Sequence, residues 1–238
     1  MVLHPTIPRG IPRGFYFERM LYFCRLFLNY STMSNSAILP IGYLPPVQYF
    51  TKLVRHNDGI LIESAENYIK QTYRNRCLIL GANGPIPLTI PVIKIQGNHT
   101  PIKLVEIDNS TLWQKNHWKT IESAYRASAY YDFVADILAP FYARRFTNLF
   151  DFNYQLTIAI CEFLSLRVNI RTTEQYVSKC EVDFRSLISP KVNFVNDVQF
   201  SPVEYFQVFS SKFGFVPNLS IIDLLFNEGL MSVDVLEA

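Results

Sequence analysis

Tyr68, Lys70, Arg74, Asn75 and Arg76 crowd the groups needed to hold an anion into nine residues. A guanidinium donates in a planar fork that fits a carboxylate or phosphate, and amide and phenol groups add donors for sugar hydroxyls. If the stretch is extended, Lys70, Arg74 and Arg76 project to one side, because side chains alternate along a strand. Three cations on one face repel one another unless something neutralises them. A bound phosphate or carboxylate would do so, and so would the nearby Glu63 and Glu66 acting as structural counter-ions. The residues leave both readings open.

The second constellation is the segment Leu112 to Tyr125. His117 follows Trp113 by four residues and precedes Tyr125 by eight, so the three share a helix face, with Trp118, Glu122 and Tyr125 as an adjacent stripe. A histidine beside a carboxylate is equipped for general acid or base work, and the aromatics offer a shelf for a sugar ring or base. The plainer account is that the aromatics bury the helix and His117 is a hydrogen-bonded boundary residue. Asp223, with Asn227 and Glu228, is a third candidate. Its spacing from Ser220 matches a helix cap, and Gly229 is placed to end that helix. No two histidines have metal-ligand spacing, so no metal site is expected. No dinucleotide fingerprint, phosphate loop, nucleophile elbow or zinc-protease motif occurs, and the residues name no cofactor.

These groups need a scaffold. Residues 36–39 read as a first strand ended by Pro40, and 45–54 as a helix with proline at its entrance. Strand candidates follow at 59–63, 77–80, 86–93 and 102–107, with a turn at Gly81-Ala82-Asn83-Gly84. Pro87 and Pro91 push 86–93 towards a sheet edge, since proline cannot donate to a ladder. Helical spacing dominates 111–126, 130–147 and 152–167. An extended region around 179–200 and helices near 203–212 and 220–227 complete the chain. The order predicts an α/β fold, a mixed sheet covered by helices, in a single domain.

Residues 1–32 read differently, with a tandem Ile-Pro-Arg-Gly repeat and then an aromatic run from Phe15 to Leu28. The run is too short and too charged to span a bilayer. This segment is expected to be a disordered or mis-assigned leader, with translation starting at Met33 and the domain occupying 33–238. An amphipathic helix touching a membrane is the competing account. The leader carries a charge of +3, leaving −1 for the rest out of a total of +2. A nearly neutral body gives no electrostatic reason to expect nucleic acid. The four scattered cysteines form no disulfide framework and suit a reducing, cytoplasmic compartment.

Several runs resemble the WbqC-like protein family in its compact form: Tyr43-Leu44-Pro45-Pro46-Val47-Gln48-Tyr49-Phe50, Glu66-Asn67-Tyr68 with Lys70 to Arg76, and Leu88-Thr89-Ile90-Pro91-Val92. Val105 to Asp108, His117-Trp118-Lys119, Ile121 to Tyr125, Phe215 to Ser220 and Asp223 to Gly229 continue the resemblance, which runs from about Ala37 to Gly229. Pro40 and Ile41 stand where many members have Gln-Pro, and a Tyr-Leu-Ser-Gly-type loop of longer members is missing. The resemblance implies a role in assembly of surface polysaccharides such as O-antigen. The expected function is group transfer to an activated or lipid-linked sugar, or else sugar or phosphate binding without chemistry. In the first case Lys70, Arg74 and Arg76 hold the anion, with Asn75 and Tyr125 completing the site. Tyr68 and Trp118 support the sugar, His117 moves the proton and Glu122 sets its tautomer.

Overall fold

The structure, a computed structural model, describes residues 36–238; the readings for the leader and for Met33 fall outside them. Four short strands form a parallel sheet: β1 (Ala37–Pro40), β2 (Ile60–Glu63), β7 (Ile170–Thr172) and β8 (Val182–Asp183), in the order β7-β2-β1-β8. Register is set by Ala37 opposite both Ile60 and Val182, and by Ile60 opposite Ile170. Every residue of β1 is buried, as expected of a central strand in a helix-covered parallel sheet.

Helix α1 (Val47–Arg55) links β1 to β2. Its first N–H groups have no partner within the helix. The C-terminal segment supplies them: Leu219 carbonyl accepts from Val47 and Asn218 Oδ1 from Gln48, while Ile221 N–H donates back to Pro45. The entrance of α1 and that of α6 (Ile221–Glu228) thus satisfy each other. This corrects the capping reading of Asp223: Ser220 donates its hydroxyl to the Leu44 carbonyl, and the Asp223 side chain is bonded elsewhere.

Between β2 and β7 the chain makes a long excursion. It opens with the antiparallel hairpin β3 (Arg76–Gly81) and β4 (Gly84–Thr89), closed by Ala82-Asn83 with Gly84 at φ 113°. Pro85 and Pro87 oppose Leu80 and Leu78, at positions whose backbone groups point away from the partner strand, so no ladder bond is lost. The short pair β5 (Val92–Ile93) and β6 (Glu106–Ile107) follows, then a helical layer of α2 (Trp113–Tyr125), α3 (Tyr131–Ala143) and α4 (Leu149–Phe163). After β8 come α5 (Ser210–Phe213), α6 and α7 (Ser232–Glu237).

The fold is therefore α/β, with a parallel sheet flanked by helices and residues 36–238 forming one unit. The four-stranded sheet is all-parallel rather than mixed; among the described residues the two small ribbons and isolated bridges such as Pro46 with Ser220 pair antiparallel. Pro91 splits the expected strand 86–93 into β4 and β5. The stretch 102–107 begins as a 3₁₀ turn, Ile102–Leu104, and the helix expected near 203–212 shrinks to α5.

Candidate functional site

The segment leaving β2 folds back on itself through an ion pair. Arg74 donates from Nε to Glu66 Oε1 at 2.9 Å and from Nη2 to Oε2 at 2.6 Å, a fork-to-fork match between two buried side chains. Burial pushes the Glu66 carboxyl above its ordinary range, and Arg74 only partly offsets that. Arg74 is thus neutralised from within. Asn75 is buried too: its amide donates to the Ile90 carbonyl at 2.8 Å and its own carbonyl accepts from Ile90, extending the hairpin ladder. Tyr68 is tied down through its N–H to the Thr100 carbonyl. Burial raises the Tyr68 phenol pKa, and the charges of Arg74 and Arg76 offset that only in part. Lys70 is exposed and Arg76 half-buried with Nε donating to Thr89 Oγ1 at 3.2 Å; among the described residues no carboxylate pairs with either.

Helix α2 crosses this hairpin from corner to corner. At one corner His117 is buried between Trp113, whose ring lies at 5.3 Å, and Tyr43 at 5.7 Å. Tyr43 Oη is 2.9 Å from His117 Nδ1 and 2.7 Å from Tyr142 Oη, and the Thr89 carbonyl accepts from the other side of the imidazole. Thr89 is in phase with Pro85 and Pro87, so its carbonyl points away from β3 and is free to meet the ring. Desolvation lowers His117 to about 4 despite the Thr89 hydrogen bond, so the ring is neutral at pH 7. In the tautomer with its proton on Nε2, the neutral ring has Nδ1 free to accept from Tyr43. At the opposite corner Tyr125, fully buried, accepts from Leu80 N–H at 3.3 Å and donates to Asp223 Oδ1 at 2.8 Å. Asp223 also accepts from Tyr205 and Gln207, each at 2.8 Å, and burial holds its carboxyl above the ordinary range despite those bonds.

The basic segment and the Trp-His helix therefore meet, through Thr89: its hydroxyl faces Arg76 and its carbonyl faces His117. Trp118 is half-buried and its ring packs on Tyr142 at 5.5 Å. Glu122 accepts from the Tyr131 hydroxyl at 3.3 Å, so the group that meets His117 Nδ1 is Tyr43 rather than Glu122. Tyr43 lies in a run that already stands out in the sequence, but nothing there ties it to His117, and Tyr142 carries no local signal at all.

The carboxyl edge of the parallel sheet, where open α/β sheets commonly bind ligands, is built of paired charge. Glu63 Oε2 accepts from Arg185 Nη1 at 3.0 Å, and Arg185 Nη2 donates to Asp183 at 2.6 Å under the exposed ring of Tyr176. Burial pushes the Asp183 carboxyl up, but the Arg185 hydrogen bonds outweigh it and leave the group below its ordinary range. Glu63 completes its shell with Thr173 Oγ1 and the N–H groups of Ala65 and Val177. With two carboxylates to one guanidinium, this edge does not favour an anion. Among the described residues, no three His, Cys, Asp or Glu side chains are grouped so as to hold a metal ion.

No solved structure matches this chain. A relative from Mycobacterium tuberculosis, described as "Uncharacterized protein Rv1507c", is 30% identical over 229 residues, covering 86% of this chain and 98% of its own length. The model of the WbqC-like protein family matches residues 42–193, a span holding β2, the basic segment, the hairpin, His117 and Arg185, though not α6 with Asp223. On that match, which spans more than half of its length, the chain belongs to the WbqC-like protein family.

Proposed function

We propose that this chain binds the anionic group of an activated or lipid-linked sugar during assembly of a cell-surface polysaccharide such as O-antigen. The observation that carries the reading is the pair Lys70 and Arg76, cations without carboxylate partners among the described residues, both within eight positions after Tyr68 in the chain. Arg74 and Asn75 shape the segment, Glu66 keeps Arg74 in place, and Trp118 and Tyr125 fix α2 beneath it. The polysaccharide context comes from the family resemblance. The free cysteines Cys77, Cys161 and Cys180 suit a reducing, cytoplasmic setting. The near-neutral body argues against nucleic acid as the partner.

Calorimetric titration with a panel of nucleotide-sugars and a short-chain polyprenyl-phosphosugar tests this. Removing each cation, by Lys70→Ala or Arg76→Ala, should weaken binding about tenfold or more, the scale of a charge-assisted hydrogen bond. Undiminished affinity in the double variant would refute the site.

A second reading adds chemistry: group transfer to the bound sugar. It is favoured by the continuous chain of groups Tyr142–Tyr43–His117, which leads from the helical layer to the hairpin beside Arg76. There His117 moves a proton along the chain, and Glu122 steadies α3 through Tyr131. His117→Gln with intact sugar binding but no turnover supports this reading; a variant that matches wild type in a glycan-profile complementation assay excludes it.

A further inference from the structure

Four large apolar side chains are turned to solvent on segments tied to one corner: Phe133 is 67% exposed, Phe206 63%, Leu230 59% and Met231 56%. Phe133 lies in the first turn of α3, and Leu230 and Met231 end the 3₁₀ turn Gly229–Met231 between α6 and α7. Tyr130 holds these two segments together. Its N–H donates to the Phe226 carbonyl at 3.0 Å, and its ring lies so close on Gly229 that no Cβ would fit there. Tyr131 stacks on Phe226 with ring centres 5.6 Å apart. Phe206 joins the same corner, its N–H donating to Glu228 Oε1 at 3.3 Å.

The charges around this corner have one sign. Residues 127–143, 203–211 and 213–238 contain no lysine, arginine or histidine. They do contain Asp132, Asp136, Glu204, Asp234 and Glu237, all exposed, and the half-buried Glu228. Among the described residues none of these acids is in an ion pair. Asp136 shares the outer face of α3 with Asp132 and Phe133, and Asp234 and Glu237 follow Met231 at helical spacing. Of the cations that flank these stretches, Lys212 donates to the Ala82 carbonyl and Arg144 to Gln155, which leaves Arg126. An isolated exposed leucine calls for no explanation. Four such side chains on tied segments, rimmed by unpaired carboxylates, make a surface with a defined complement.

We propose that this face docks a cationic amphipathic segment of another protein. The segment's lysines or arginines meet the acids, and its apolar residues cover Phe133, Phe206, Leu230 and Met231, as when an amphipathic helix lies on an apolar surface. Unbranched Met231 can adapt its shape to such a guest. The sign of the rim decides between occupants. An anionic bilayer would be repelled by it. A second copy meeting the face across a twofold axis would set the same acids against one another. None of these residues belongs to the proposed anion site, and docking does not depend on that site.

Fluorescence anisotropy of the full chain with three labelled peptides of about 14 residues, four helical turns, tests the inference. One carries leucine on one face and lysine on the other, the second has glutamate for every lysine, and the third has serine for every leucine. The leucine–lysine peptide should bind about tenfold or more tighter than either of the others, and less tightly in about 0.5 M salt. Phe133→Ser/Met231→Ser should weaken it about tenfold, and Leu230→Ser alone should weaken it too if the double variant folds poorly. Asp132→Asn/Asp234→Asn should reduce both the affinity and its dependence on salt. The inference is overturned if the three peptides bind alike, or if folded variants of the face bind the leucine–lysine peptide like wild type. It is also overturned if sedimentation shows a dimer that Phe133→Ser/Met231→Ser abolishes, or if the face carries the chain onto anionic vesicles.

Discussion

Replacing His117 by glutamine should change the response of the fold to acid in a way that its burial makes calculable. The ring is held at about 4 instead of its ordinary 6.5 because desolvation disfavours the imidazolium, against the pull of the Thr89 carbonyl. Between those values the unfolded chain binds more protons than the folded one, so stability rises with pH there and is lost as pH falls. For a side chain only 7% exposed, the loss amounts to about 3 kcal/mol by pH 4. Glutamine does not titrate, yet it can still accept from Tyr43 and donate towards Thr89. At pH 7.5 the variant should be the less stable protein by about 1–2 kcal/mol, from imperfect packing and hydrogen bonding. Urea unfolding from pH 7.5 to 4 should show this gap closing and then changing sign. The comparison is clean because Glu66 and Asp223, whose raised carboxyls work in the opposite direction, contribute equally to both proteins. A gap that stays constant within about 0.5 kcal/mol across the series would refute a buried, neutral imidazole.

Glu66→Gln leaves the Arg74 guanidinium buried without its counter-charge and should cost about 3–5 kcal/mol in urea unfolding, whereas Glu66→Gln with Arg74→Gln should recover much of that loss. Asp223→Asn puts an amide donor against the Tyr125, Tyr205 and Gln207 donors and should cost about 1–3 kcal/mol. Burial raises the folded carboxyl at 223, so wild type loses stability as pH rises through that raised value; this part of the pH profile should be absent from the variant.

Local signals carried much of the architecture. Proline at the start of α1, continuous apolar runs for β1, β2 and β3, and helical spacing through α2, α3 and α4 are all written within a few residues of where they act. Misreadings arose where a partner outside the segment decides the conformation. The stretch 102–107 carries apolar residues that fit a strand, but Ile102 and Lys103 donate to the carbonyls of Glu66 and Ser64, and the chain winds into a 3₁₀ turn to reach them. The spacing of Ser220 and Asp223 fits a cap, yet Tyr125, 98 positions away, takes the carboxylate. The basic segment shows the same division. Glu66 lies close enough in sequence to be weighed as a counter-ion for Arg74. The meeting of Glu63 with Arg185, like that of His117 with Tyr43 and Tyr142, joins side chains that no short-range pattern connects.

The strand order carries a consequence for how this chain reaches its final form. β1 and β2 are made early and lie side by side, but their outer neighbours Ile170–Thr172 and Val182–Asp183 leave the ribosome only after most of the chain has been synthesised. Until then both flanks of an apolar two-stranded core are bare, and closing the sheet must bring together segments separated by more than a hundred positions. The hairpin and the α2–α4 layer contain nearest-neighbour contacts and can assemble meanwhile. Nascent chains stalled before residue 170 should therefore contain a formed helical layer and an unsealed sheet, the state in which chaperones have most reason to engage them.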